Sequence, residues 1–225
     1  MSVLPDDLTT KLLSFLTGNT FPCVAAKDAA TKGHIKTMIA GHMACPNDDA
    51  DILSFIYSFT EIFRKEEKGF HSAAIIFQQP VNITEELFEK FMWQRLRSLH
   101  EMDKQLYAHD SRVDADPSSP RYSFSLMGEA FFIIGMHPQS SRPARRFEYP
   151  VLIFNPHAQF EEMKKNMQFE KMKAIVRKRD IALAGSVNPM LTDFGEASEV
   201  FQYSGRAYGS NEECPFKKQP DKTIS

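Results

Sequence analysis

The chain has 225 residues, a net charge of -2, 42 % hydrophobic and 25 % charged residues, and an excess of Phe (19) and Met (11). Its length suits one large domain or two small ones, long enough to bury about 70 % of the unfolded surface without disulfide or metal staples. The near-neutral charge excludes a global field that draws nucleic acid or anionic lipid, so any anion recognition must be local.

The N-terminal part predicts two helices. An apolar residue at every third or fourth position predicts a helix over residues 6–17. An Ala-rich stretch predicts a second helix over residues 22–32, with Pro22 at the first helical position, where its missing N–H does no harm. Residues 34–43 fit either a strand or an extension of this helix.

A stronger helical signal follows Pro46. Polar residues 47–49 can cap a helix whose apolar face continues to Phe63, and Gly69 closes it. The apolar run at residues 71–78 then predicts a buried strand.

Thr84 and the two acids after it predict the start of a long helix that continues to about Tyr107, with Leu106 on its apolar face. Residues 109–121 are polar, contain two prolines and have no period. They predict an exposed loop, with mobility over the functional site as one option.

Two apolar runs follow, over Tyr122–His137 and Tyr149–His157, and predict a hairpin or a pair of sheet strands. A helix is predicted over residues 158–180, and the part from Ala184 onward is expected to wrap the domain without regular structure. No internal repeat is visible. The simplest prediction for residues 1–225 is therefore one α+β domain with a small, mostly antiparallel sheet, several packed helices and an irregular C-terminal tail.

The three cysteines, Cys23, Cys45 and Cys214, are odd in number and widely spaced, which argues against a disulfide framework and a structural zinc site. The N-terminus carries no basic segment of the secretory type, and no window approaches 18 consecutive apolar residues. These features predict a reducing, cytoplasmic setting without membrane association.

The densest chemistry lies between the two apolar runs, in the segment from His137 to Arg146. It holds one imidazole, two hydroxyls and three guanidinium groups, and arginine forks bind carboxylates or phosphates through two hydrogen bonds. The segment is therefore either a concentrated anion site or a solvated basic loop. A second histidine, His157, ends the next run, and antiparallel strands would place the two imidazoles at opposite ends of the sheet.

Cys23 lies at the start of the second predicted helix, where the helix dipole favours a thiolate and lowers the thiol pKa. The residue is either a ligand or nucleophile or an inert packing group. Cys214 has no predicted helix to activate it, and Cys45 is expected to pack in a loop. The motifs of P-loop, dinucleotide-binding, α/β-hydrolase and zincin proteins are absent from the sequence.

Several segments together resemble the YqcI/YcgG family over about residues 19–216: FPC at 21–23, HPQSSRPARRF at 137–147 with YPVLIFNPHAQFE at 149–161, DFGEASEVFQYSGR at 193–206 and CPF at 214–216. The resemblance implies a haem-dependent oxygenase that uses a b-type haem and dioxygen to N-hydroxylate the guanidino group of arginine or an arginine-derived amino acid. It also implies a small guanidino substrate and an external electron donor.

With that resemblance, Cys23 is the first choice for the axial ligand of the haem iron, ahead of His157, His137 and Cys214, because an axial thiolate assists O–O cleavage. His137 and His157 are also candidates for a catalytic hydrogen bond to bound dioxygen.

Expected contacts to the cofactor come from five side chains: Phe21, Ser141, Arg142, Arg145 and Arg146. The arginines are assigned either to haem propionates or to the substrate carboxylate.

Glu129 is either the partner of the substrate guanidinium or an edge-strand charge that faces water. Two other functions stay open: a haem or gas-binding module without turnover, and a non-haem phosphate- or nucleotide-binding protein built on the Arg142–Arg146 loop. No nucleic-acid partner is expected. The oligomeric state is left open, with a homodimer as one option.

Overall fold

The computed structural model describes residues 5–66, 69–165, 169–186, 193–209 and 216. Within these ranges the helices are α1 (Pro5–Thr17), α2 (Val24–Thr31), α3 (Asp49–Glu66), α4 (Glu85–Asp103), α5 (His157–Lys165), α6 (Phe169–Ala184) and α7 (Val200–Tyr203). The strands are β1 (Ile35–His42), β2 (Ser72–Gln79), β3 (Phe124–Leu126), β4 (Glu129–Met136) and β5 (Val151–Pro156). None of the helices described is both long and apolar enough to cross a membrane.

The five strands form one mixed sheet in the order β1-β2-β5-β4-β3. β1 and β2 are parallel, with α3 as the crossover that a parallel pair requires, and the other neighbouring strands are antiparallel. A two-residue turn joins β3 to β4 through Met127 (φ 55°) and Gly128 (φ 64°), the pair of positive φ angles that a type I′ hairpin needs. The predicted α+β class and mostly antiparallel sheet are confirmed.

The helices pack on both faces of this sheet. Alternate strand residues point to opposite faces: Ile75 and Phe154 pack with α3 and α4, whereas Ile76 and Ile153 pack with α1 and α2. Leu12 of α1 is fully buried on the second face, as the helical period predicts. Burying such a side chain contributes roughly 1.5–3 kcal/mol relative to leaving it in water.

One open alternative is decided and two local predictions are corrected at element boundaries. Of the two options for residues 34–43, the strand is correct, because β1 covers Ile35–His42. Pro22 lies before the helix, because Cys23 is the N-cap of α2. Helix α4 ends at Asp103, whose carbonyl accepts hydrogen bonds from the next turn, so Leu106 lies outside the helix with 72 % of its surface exposed.

The second half of the chain differs from its prediction in the tail. The predicted helix over 158–180 is described as α5 and α6, with residues 166–168 outside the described part. The tail contains the short helix α7, and Tyr203 at its end is fully buried against the sheet core. Residues 109–121 are mostly exposed, as predicted, and the carbonyls of Pro117 and Pro120 accept hydrogen bonds from residues 198 and 195 of the tail.

Candidate functional site

The second face of the sheet contains a cavity of about 320 Å³. Its floor is mainly apolar and consists of seven strand residues: Ile35, Ser72, Phe132, Ile134, Met136, Ile153 and Asn155. Residues of α2, α5, α6, the loop between β4 and β5, and the tail form the walls, which carry most of the polar and charged groups. The volume and the mixture of apolar and polar groups are typical of a small-molecule site.

Segments that are far apart in the sequence converge on this cavity. Five of the predicted site residues line it: Phe21, Cys23, Arg142, Arg145 and His157. The predicted residues His137, Ser141 and Arg146 do not line it, nor does Glu129 or any residue of the 109–121 loop. Cys214 lies outside the described residues.

Cys23 is placed on the cavity wall by its position as N-cap of α2. The helix start was expected to lower the pKa of its thiol, but the net shift has the opposite sign. Burial raises the pKa, and hydrogen bonds from the backbone amides of Ala26 and Ala25 lower it by less. Desolvation therefore outweighs the helix start, and the thiol is protonated at neutral pH until a cation in the cavity stabilises the thiolate.

His157 begins α5 at the end of β5 and is paired with a buried carboxylate. Its Nε2 lies 3.4 Å from Oε1 of Glu199, and its ring centroid lies 4.4 Å from that of Phe194. Glu199 is a functional candidate that the sequence reasoning missed. The residue stands in a segment that carries the family resemblance, just before the apolar start of α7, but no spacing rule links position 199 to position 157.

Arg142 already has a carboxylate partner within the protein. Its Nη2 donates to Oδ2 of Asp180 at 2.5 Å and to the carbonyl of Ser186 at 2.9 Å. Both side chains are largely buried, at 13 % and 10 % exposure. This pair joins the loop between β4 and β5 to α6 on the cavity wall, so Arg142 is less free to bind a ligand anion.

Arg145 is buried without such a partner. Its Nη1 donates to the carbonyl of Tyr203 at 2.7 Å and to that of Gly135 at 3.4 Å, and among the described residues no carboxylate lies within 4 Å of it. Burial lowers the pKa of this guanidinium to about 10. The backbone of Gly205 (φ +84°) lies so close that a Cβ there would be 2.7 Å from Cδ of Arg145. Asp180 favours the charge of Arg145 from beyond 4 Å, but it is paired with Arg142. A buried cation without an adjacent counter-charge is costly, and an anionic group in the cavity would offset that cost.

Arg146 and Ser141 lie on the outer side of the same loop. Both are exposed; Nε of Arg146 donates to the carbonyl of Ser140 at 3.0 Å, and the hydroxyl of Ser141 donates to Glu85 at 2.9 Å. The structure gives no support for a contact between either residue and a ligand in the cavity.

His137 is fully buried at the other end of the sheet from His157, as the antiparallel pairing predicted. Its ring stacks on Phe88 with a centroid separation of 4.4 Å. Neither ring nitrogen has a hydrogen-bond partner among the described residues, and burial lowers the pKa of the imidazole to about 4. His137 therefore acts on the stability of the fold.

Glu129 is neither an edge-strand charge in water nor part of the cavity. It lies on β4, an interior strand, with 4 % of its surface exposed. Its carboxylate accepts from Nη2 of Arg112 at 2.6 Å and from Nε of Arg64 at 3.4 Å. It binds guanidinium groups, as its residue type suggested, but they belong to the protein itself.

The described residues contain no cluster of three or more His, Cys, Asp or Glu side chains arranged to hold a metal ion. A haem iron needs a single axial side chain from the protein, and Cys23 and His157 both lie on the cavity wall. Cys45 is half-buried, and its carbonyl accepts a hydrogen bond from Arg95, which agrees with the predicted packing role.

Comparison with known proteins agrees with the resemblance. The model of the YqcI/YcgG family matches residues 12–217. Two Bacillus subtilis (strain 168) proteins are similar: Uncharacterized protein YqcI is 26 % identical over 210 residues (89 % of this chain, 82 % of the relative), and Uncharacterized protein YcgG is 24 % identical over 208 residues (88 % and 81 %). No solved structure matches significantly. The family model covers nearly the whole chain, and the protein therefore belongs to the YqcI/YcgG family.

Proposed function

We propose that the protein is a haem-dependent oxygenase that N-hydroxylates the guanidino group of arginine or of an arginine-derived amino acid. One observation carries the proposal. The segments around Cys23, Arg145 and His157, on which the family resemblance rests, converge on one cavity with a mainly apolar floor. A thiol, an imidazole and a buried guanidinium with no described carboxylate within 4 Å thus line the same cavity.

The residues of the cavity fit a haem. The macrocycle needs apolar walls, which β4 and β5 supply, and its propionates need a cation, for which Arg145 is available. Cys23 is the first choice for the axial ligand and His157 the second. When bound, the haem supplies dioxygen activation, and an axial thiolate favours cleavage of the O–O bond.

The reaction requires two electrons from an external donor. A guanidine N–H, dioxygen, two electrons and two protons give an N–OH group and one water molecule. The protein supplies binding and orientation: apolar side chains exclude water from the reacting nitrogen, and polar groups on the walls hold the substrate. Arg142 stays paired with Asp180 and fixes the position of α6 against the loop.

The proposal is tested by adding haem to the purified protein and recording the absorption spectrum. We expect stoichiometric binding with a Soret band, and N-hydroxyarginine when arginine, a reductant and air are supplied. Haem binding without product would support the gas-binding module instead. Colourless protein whose melting temperature rises with phosphate compounds would support the phosphate-binding alternative.

Arg145→Met distinguishes two roles of the buried arginine. If Arg145 holds a propionate, the variant should retain haem less well; if it holds the substrate carboxylate, KM should rise about 10- to 100-fold with an unchanged spectrum, the equivalent of one charge-assisted hydrogen bond. Arg146→Met is the matched control, since Arg146 is exposed on the same loop and should change neither value. If neither value changes in Arg145→Met, the arginine is not part of the site.

A further inference from the structure

Glu199 is held in one orientation by donors on its far oxygen. The side chain is buried, with 4 % of its surface exposed. Oε2 accepts from the hydroxyl of Ser123 at 2.9 Å and from that of Tyr203 at 3.3 Å. The Tyr203 hydroxyl also accepts from the amide of Phe124 at 3.1 Å, so its own proton is directed to the carboxylate. Oε1 is then the oxygen that faces His157.

This arrangement favours one position for the proton of His157. Oε1 of Glu199 lies 3.4 Å from Nε2 of His157, an ion-pair rather than a hydrogen-bond distance. A carboxylate only accepts hydrogen bonds, so its oxygen favours an N–H over a lone pair at Nε2. In the neutral ring the lone pair is consequently on Nδ1.

The lone pair on Nδ1 is available to a ligand. Among the described residues Nδ1 has no hydrogen-bond partner, and the protein does not fully enclose it. The side chain of His157 is 8 % exposed and lines the cavity, with Phe194 packed beside the ring. Nε2 lies beside Glu199, so Nδ1 is the ring nitrogen left for a ligand.

We propose that Glu199 is a positioning residue that fixes His157 as the Nε2–H tautomer, so that Nδ1 accepts a hydrogen bond from the guanidino group of the substrate. A guanidinium has only N–H donors, and the opposite tautomer would set one donor against another. The assignment of the ligand rests on the proposed function; the tautomer follows from the contacts of Glu199 alone.

The tautomer is tested by long-range ¹H–¹⁵N correlation spectra of the haem-free protein with ¹⁵N-labelled histidine. We expect Nε2–H in the wild-type protein, with slow exchange of this proton with water. In Glu199→Gln the amide oxygen should take the place of Oε2, which accepts from Ser123 and Tyr203, so the amide NH₂ faces Nε2 and should move the ring proton to Nδ1. Glu199→Ala should lose the exchange protection. Glu196→Gln, an exposed carboxylate of the same segment, should match wild type. An Nδ1–H tautomer in the wild-type protein, which needs no variant to observe, would overturn the proposal, as would unchanged protection in Glu199→Ala.

The substrate contact is tested in the haem-loaded enzyme with arginine. Glu199→Ala should raise KM about tenfold, one hydrogen bond of about 1.4 kcal/mol, with an unchanged Soret band. Glu199→Gln should raise KM at least as much, because a proton on Nδ1 faces the N–H donors of the substrate. Unchanged KM in Glu199→Ala, or loss of haem in place of a KM effect, would overturn this role. Absence of product from the wild-type enzyme would instead overturn the proposed function, and the tautomer result would remain valid.

Discussion

Cys23→Ser is expected to abolish stable haem retention, while His157→Asn retains the cofactor and loses turnover. The reason is the chemistry of the two side chains. A serine hydroxyl is a poor ligand for haem iron, whereas coordination of Cys23 removes the thiol proton that burial otherwise retains. His157 is already engaged by Glu199 through Nε2 and is assigned to the substrate. The measurement is haem content after gel filtration, together with the spectrum of the reduced, CO-bound protein, which separates thiolate from imidazole ligation.

One control variant and one further ligand variant accompany this prediction. Cys45→Ser should retain haem, because Cys45 contacts Arg95 through its backbone carbonyl and does not line the cavity. Cys214→Ser tests the second thiol candidate. Haem loss in His157→Asn with retention in Cys23→Ser would transfer the axial role to His157. Retention in all four variants would contradict every one of these ligand assignments.

Most of the fold could be predicted from local patterns. The apolar face of α3 and the uniformly apolar β2 are visible because helical and buried-strand periods are properties of consecutive residues. The missed features depend on tertiary contacts. α7 has four residues, too few for a period, and is stabilised by the burial of Tyr203. Leu106 continues the period of α4 after the backbone has already turned at Asp103.

The site was predictable as a set of segments but not as a set of roles. Arg142, Arg145 and Arg146 are indistinguishable in the sequence. In the structure one pairs with Asp180, one is buried with carbonyls only, and one is exposed. The partners that separate Arg142 and Arg145, Asp180 on α6 and the carbonyl of Tyr203 in the tail, are 38 and 58 residues away, and no spacing rule reports contacts at such separations.

Two buried polar groups beside β4 are left incompletely satisfied by the protein. Among the described residues Arg145 has no carboxylate within 4 Å, and His137 has no hydrogen-bond partner. Only the first lines the cavity, where a ligand would offset its cost. For His137 no ligand contact offers compensation, so its effect is expected in the stability of the fold itself.

The stability of the protein is therefore expected to fall between neutral pH and pH 5 because of His137. Burial lowers the pKa of this imidazole from its ordinary value of 6.5 to about 4 in the folded state, where the nearby Arg145 guanidinium also disfavours the proton and Glu85 favours it. As the pH falls below 6.5 the unfolded chain binds the proton and the folded chain does not. Unfolding is thus favoured by about 2 kcal/mol at pH 5 relative to pH 7.

His137→Phe should remove this component, since a second aromatic ring can stack on Phe88 in the same place without any nitrogen to titrate. Urea unfolding gives the free energy of unfolding of each protein at pH 7 and at pH 5. Subtracting the pH-dependent change of His137→Phe from that of wild type cancels the contribution of the other titrating groups. His42→Gln, at an exposed histidine, should show the wild-type pH dependence. An equal loss of stability in wild type and His137→Phe would mean that the buried imidazole takes up a proton, and hence finds a partner, without unfolding.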